Sequence, residues 1–213
     1  YWKYEFNERA GGKRMRFFKT SYKDLTDEVL MQKIASGDKR AFDDLYVRYA
    51  TPLLNYFHRM LWKDREKAED FVHDLFAKII QKPTSFDASR SFKTWVYSVA
   101  NNMCKNEYKR QEVRSGTKNG LEEYTAVSDE TVNALQQTHH TLFGEEFKQK
   151  LDELDEKHRE AFVFRHIEGL SIKEIAEMLK ISEGTIKSRI FYATKYLAEE
   201  LVHYQPEKSK HHG

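Results

Sequence analysis

The stretch SIKEIAEMLKISEGTIKSRI, residues Ser171 to Ile190, decides the fold. Ser171 followed three residues later by Glu174 has the form of a capping box, in which hydroxyl and carboxylate each satisfy an orphan backbone donor at a helix start. Behind it Ile172, Ile175, Ala176 and Leu179 recur at helical spacing. The residues KISE then break the pattern, and Ser182 is placed to cap a second helix. In that helix Ile186, Ile190, Ala193 and Leu197 fall within about a 60° arc at ~3.6 residues per turn. Two short helices joined by a tight turn form a helix-turn-helix, the unit whose second helix enters a DNA groove. Thr185, Ser188, Tyr192 and Lys195 project away from the buried arc, flanked by Lys187 and Arg189. Basic side chains suit guanine edges or phosphates, and hydroxyls suit phosphates. The same spacing also fits a packed hairpin with a wet basic face, and pattern alone does not separate the unit from the same module in a two-component activator.

Outward from this unit the chain reads as all-α. Of 213 residues 39 % are hydrophobic and 33 % charged, enough apolar material for one or two small cores. Three prolines and nine glycines disfavour a turn-rich sandwich or barrel. No apolar run reaches the ~18 residues of a membrane span and no signal-peptide pattern appears, so no membrane insertion is expected and the cytoplasm is the default compartment. The single cysteine, Cys104, excludes an internal disulfide and a cysteine-rich zinc site. Net charge is only +2, but its distribution is uneven: residues 89–118 hold seven Lys/Arg against two Glu, and residues 119–160 hold four against eleven Asp/Glu. Neighbouring basic and acidic stretches point to separate surfaces.

Residues 1–21 lack clean periodicity and are expected to be an extension, with Met15 a candidate natural start. From Thr26 the helical pattern is strong. Thr26 or Asp27 caps a first helix carrying Val29, Leu30 and Ile34, which Gly37 ends. Asp38 opens a second with Ala41, Phe42, Leu45, Tyr46 and Tyr49 inward, and Pro52 is expected to kink or interrupt it. Asp64 caps a third, in which Ala68, Phe71, Val72, Leu75, Phe76 and Ile79 share a face, and Pro83 closes it. A fourth buries Phe92, Trp95, Val96, Val99, Ala100 and Met103. Beyond residue 110 the periodicity fades into QEVRSGTKNGLEEYTAVS, which reads as a linker, with Val132 and Leu135 making at most a short helix. The expected organisation is two small helical domains, 22–110 and 144–204, joined by a flexible linker 111–143, with a tail at 205–213.

Resemblance to a known family then settles what spacing leaves open. The segments IASGDKRAFDDLYVRYATPLLNYFHRML, DREKAEDFVHDLFAKII and FKTWVYSVANNMCKNEYKR resemble the second conserved region of bacterial sigma factors, in particular the small extracytoplasmic-function (ECF) group. LDELDEKHREAFVFRHIEGLSIKEIAEMLKISEGTIKSRIFYATKYLAEEL resembles that family's fourth region. The match runs in family order from about Asp24 to Leu201. It implies a subunit that binds core RNA polymerase, recognises the −10 and −35 elements of promoter DNA and assists melting, with the polymerase performing the catalysis. Such factors are commonly held inactive by an anti-sigma factor, which is therefore an expected partner.

Carried over residue by residue, AEDFVHDLF corresponds to the helix that docks on polymerase, with Asp70, His73, Asp74 and Lys78 lying off the apolar arc. The family usually has glutamine where this chain has His73. The loop 84–91 and the next helix match the −10 reader: Phe86 and Asp87 are expected at a pocket for a melted base, and Lys93, Ser98, Asn101, Asn102, Lys105 and Lys109 on the helix's outer face. Trp95 is a candidate base-stacker, but its spacing with Phe92 and Val99 reads as core. Thr185, Lys187, Ser188, Arg189, Tyr192 and Lys195 fall on the −35 reader. The family's Leu-Pro before the fourth-region helix is Leu154-Asp155 here, and Arg159 occupies the family's arginine position.

Rival readings find less in the chain. A two-component-type regulator needs an α/β receiver, and the first 110 residues show no such alternation. Enzyme chemistry would rest on His58, His73, Cys104 and the pair His139-His140, but a nucleophilic cysteine needs a nearby base and a metal needs convergent ligands. Cys104 lies beside the buried stripe and reads as a small core residue. No catalytic residue, metal or cofactor is expected.

Overall fold

The computed structural model describes residues 22–61, 64–117 and 136–204, and all regular structure in them is helical. The helices are α1 (Asp27–Ala35), α2 (Lys39–Met60), α3 (Arg65–Gln81), α4 (Phe92–Thr117), α5 (Gln136–Glu153), α6 (Glu156–Phe162), α7 (Ile172–Leu179) and α8 (Glu183–Glu200). The expected extension, most of the linker with Val132 and Leu135, and the tail lie outside the described residues.

Short polar side chains start most of these helices. Thr26 accepts from the Val29 N–H, Asp38 from those of Arg40 and Ala41, and Asp64 from that of Lys67. Asp155, where the family has proline, accepts from the His158 N–H at 2.9 Å and so restores a helix start by a different device. At the end of α1, Gly37 turns the chain with φ 90°, a conformation that costs glycine little.

Helix bounds depart from the sequence expectation in two places, and at Pro52 the departure is that the helix is not interrupted. Helix α2 runs unbroken through Pro52. Proline removes one rung of the ladder, but its ring is exposed, while Tyr49, Leu53, Tyr56 and Phe57 stay buried on the opposite side. Helix α4 continues past residue 110 to Thr117, and α5 starts at Gln136, so helix occupies both ends of the expected linker. Val113 is 71 % exposed: this end of α4 has no apolar stripe because it has little to pack against.

In the N-terminal half α2 packs on α1, α3 and α4 around an aromatic core. Tyr49 meets Phe92 edge-on at 5.1 Å, Phe57 meets Phe71 at 5.3 Å and Phe42 meets Phe76 at 5.9 Å. Arg48 ties the chain before α1 to this core, donating to the carbonyls of Tyr22, Lys23 and Leu25 and to Asp27. In the C-terminal half α6 and α7 pack on α8, burying Ile175, Ile186, Ala193 and Leu197.

The halves were expected as separately tethered modules; in the structure they meet. A π-helical turn, Val163–Ile167, prolongs α6 and leads to Gly169 at φ 70°. The wider turn carries Phe164 into the N-terminal core, where its ring stacks on Tyr56 at 5.5 Å and is fully buried. Helix α7 lies against α4.

Candidate nucleic-acid interface

The helix-turn-helix forms as its residues dictate. Ser171 Oγ accepts from the Glu174 N–H while Glu174 Oε2 accepts from the Ser171 N–H at 2.8 Å, completing the capping box. Lys180 ends α7 in the left-handed conformation, φ 57°. Ser182 then accepts from the Thr185 N–H at 3.1 Å to start α8. The inner side of α8 is buried, and Thr185, Lys187, Ser188, Tyr192 and Lys195 on its outer side are exposed, with Arg189 half-buried. Lys195 lies 3.8 Å from Glu199, and Tyr192 sets its ring edge-on to His158. Phe191, which lies off the buried arc of Ile186, Ile190, Ala193 and Leu197, is 62 % exposed on this outer surface. Only its angle on the helix, rather than its residue type, could have revealed it.

Helix α3 splits the same way. Val72, Leu75, Phe76 and Ile79 are buried, and Asp70, His73, Asp74 and Lys78 are all exposed on one outer face.

The candidate −10 surface is different. Phe86 is 8 % exposed, its ring edge-on to Phe92 at 5.5 Å and 5.4 Å from Trp95, so these three aromatics form a wall beside the loop. Trp95 is half-buried within it. Asp87 is exposed and orders the loop by accepting from the Ser89 hydroxyl at 2.7 Å and its N–H at 3.0 Å; these bonds hold its carboxyl below the usual range. On α4, Asn102 and Lys109 are exposed, and Lys93, Ser98 and Lys105 are half-buried. Asn101, expected on the outer face, is 3 % exposed and accepts from the Tyr56 hydroxyl at 3.4 Å. Helix α4 is flanked by α2 on one side and the C-terminal half on another, which leaves its polar residues less open surface than periodicity alone suggests.

Carboxylates of the C-terminal half meet this surface. Arg59 donates to Glu168 Oε1 at 2.6 Å, and the Tyr97 hydroxyl donates to Glu168 Oε2. Burial, reinforced by that hydrogen bond, pushes the Tyr97 phenol well up. The Thr94 hydroxyl donates to Glu174 at 2.7 Å, and Lys105 Nζ lies 3.1 Å from Glu160 Oε1.

Cys104 is fully buried, and burial followed by the charge of Glu160 pushes its thiol well up, which keeps it protonated. The side chains of His139 and His140 lie outside the described residues. Among the described residues no three His, Cys, Asp or Glu side chains converge as a metal site, and no helix is long and apolar enough to cross a membrane.

Comparison with known proteins matches both halves. A family model described as Sigma-70 region 2 covers residues 45–114, and one described as Sigma-70, region 4 covers residues 144–197. The ECF RNA polymerase sigma-E factor of Escherichia coli is 31 % identical over 175 residues, 79 % of this chain and 91 % of that protein. The RNA polymerase sigma-H factor of Pseudomonas aeruginosa is 29 % identical over 185 residues, 82 % of this chain and 93 % of that protein. The fold is that of the sigma factor RpoE of Bartonella quintana, solved in complex with the anti-sigma factor NepR: TM-score 0.64 at 23 % identity, covering 77 % of this chain and 98 % of that one. With both conserved regions present in order, the chain belongs to the sigma-70 family, as an ECF RNA polymerase sigma factor.

Proposed function

We propose that this sigma factor divides its work among three helices. The outer face of α3, with Asp70, His73, Asp74 and Lys78, docks on core RNA polymerase. The 84–91 loop and α4 take the −10 element, with Asn102, Lys93, Ser98, Lys105 and Lys109 toward DNA and the wall of Phe86 beside Asp87 framing a flipped base. Helix α8 lies in the major groove of the −35 element and contacts it through Thr185, Lys187, Ser188, Arg189, Tyr192 and Lys195. The carrying observation is the clean division of α8 into a buried arc and an exposed polar face that begins at a capped N-terminus.

Lysines on α4 neutralise phosphate, and an exposed amide hydrogen-bonds base edges once the strands part. The polymerase supplies the chemistry in the cytoplasm, and the factor supplies the address. The solved sigma factor RpoE, which shares this fold, carries an anti-sigma factor, and we infer a partner of that kind for this chain.

Reconstitution with core polymerase, followed by transcription from a genomic library, tests the reading. Start sites sharing two conserved blocks at −10 and −35 are expected. A purified chain that fails to associate with polymerase of its own host, after any inhibitor has been stripped away, overturns it.

A further inference from the structure

We infer that His158, on α6, is a further contact of the −35 reader: its imidazole, braced by Asp155, meets a backbone phosphate at the edge of the groove that α8 enters. The inference rests on α8 being the −35 helix. Tyr192 sets its ring edge-on to Phe191 at 5.5 Å and to His158 at 6.1 Å, so three rings stand together on the outer side of α8. Phe191 and Tyr192 are 62 % and 57 % exposed, and the His158 side chain is 31 % exposed. An α-helix with its side chains is about 10–12 Å across, and the major groove is about 12 Å wide. Helix α8 therefore fills the groove. A side chain set beside Tyr192 from a different helix has the groove wall to meet, and that wall is sugar and phosphate.

The ring is held for that contact. Nδ1 lies 2.5 Å from Asp155 Oδ2, while Oδ1 of the same carboxylate accepts the His158 N–H at 2.9 Å. These bonds hold the Asp155 carboxyl below its usual range against the opposing effect of burial. An ionised carboxylate only accepts, so Nδ1 carries a proton. Among the described residues no hydrogen bond engages Nε2. In a neutral ring Nε2 bears a lone pair and repels phosphate; in the imidazolium its N–H donates to phosphate. A carboxylate at one nitrogen and a phosphate at the other both favour the cation, so DNA binding takes up a proton here. The imidazolium also separates phosphate from the Asp155 carboxylate, which is 61 % exposed and would repel it. From its own helix the ring faces Asp155; from α8 it faces Tyr192, with the cations Arg189 and Lys195 about one turn to either side. The proline that the family has at position 155 offers no such acceptor, so the brace belongs to this chain's own sequence.

The test uses holoenzyme reconstituted from the full chain, as wild type, His158→Gln or His158→Lys, and a promoter duplex mapped by the transcription experiment above. Affinity is measured against salt concentration at about pH 6 and about pH 8, toward the two ends of the range in which histidine ordinarily changes charge. Comparing variants at one pH cancels the polymerase's own response and leaves Arg189 and Lys195 in place. At the lower pH, His158→Gln should bind several-fold more weakly, with a salt slope smaller by about 1. At the higher pH that difference should shrink. His158→Lys, cationic at both, should keep the slope that the wild type shows in acid. Equal slopes for wild type and His158→Gln at both pH values overturn the phosphate contact. So does a loss in His158→Gln that is the same at both pH values with the slope unchanged, which would make His158 a packing partner of Tyr192 alone. Should Lys187→Ala and Arg189→Ala also leave affinity untouched, the reading of α8 fails and takes this inference with it.

Discussion

The two helices proposed to read DNA, α8 and α4, are elements of similar chemistry in opposite surroundings. On the outer side of α8, Thr185, Lys187, Ser188, Tyr192 and Lys195 are exposed to water, and Tyr192 touches the edge of α6. The corresponding face of α4 is shared with α7 and the π-helical turn, and its Lys105 and Thr94 already have carboxylate partners. Residue type is therefore a better guide to role on α8 than on α4. A polar residue on a helix side that faces water is available; on a side shared with the other half it is often committed.

The largest expected effect comes from breaking the inner side of α8. Ile186 is fully buried between the helices of the C-terminal half. Ile186→Ala should cost about 2–5 kcal/mol through lost burial and the cavity left behind. Thermal melting by circular dichroism should show the C-terminal half unfolding first, with −35 binding lost alongside it. A variant that melts like the wild type would mean that α8 is held by something other than this core.

On α4 the contrast can be drawn between adjacent residues. Asn101→Ala removes a buried amide and strands the Tyr56 hydroxyl, a loss of about 1–3 kcal/mol of stability. Asn102→Ala removes an exposed one, so melting should be unchanged while −10 strand affinity falls. If Asn102→Ala is the destabilising variant, the assignment of the two amides is reversed. On α8 no such division is expected: Lys187→Ala and Arg189→Ala should each weaken promoter binding with little change in melting. A base contact costs ~1–3 kcal/mol and relaxes specificity, whereas a phosphate contact costs all sequences alike and lowers the salt slope by about 1.

What was legible in the sequence follows the same line. The caps at Thr26, Asp38, Asp64, Ser171 and Ser182 could be read directly, because a cap is a contact between residues two or three apart. The apolar stripes of α2, α3 and α8 were legible because each has a wet side to contrast with a dry one. Asn101 was misplaced because the core residue that binds it, Tyr56, is 45 positions away. The end of α4 was taken for linker because a solvated helix carries no stripe. The π-helical turn left no local signal, yet it is what delivers Phe164 and Glu168 to the other half.

The smallest effect, and the one that sharpens the comparison most, is in acid. Burial pushes the Glu174 carboxyl up, but hydrogen bonds from Thr94 and Ser171, with Lys93 nearby, outweigh it and hold the group below its ordinary 4.5. A carboxylate depressed in the folded state contributes stability above its unfolded value and loses it as pH falls through the folded one. The start of α7 and its bond to α4 should therefore weaken as pH drops below about 4.5. The start of α8 uses the hydroxyl of Ser182, which does not ionise, so it should hold. NMR of the two capped turns separates them: the Ser171 amide, which donates to Glu174, should titrate in this range, and the Thr185 amide should move much less. Glu174→Gln should abolish the Ser171 titration, whereas Ser171→Ala should cost about 1 kcal/mol at neutral pH through the lost cap. Equal titration of both amides would mean that acid loosens the whole helix-turn-helix rather than the one turn that faces α4.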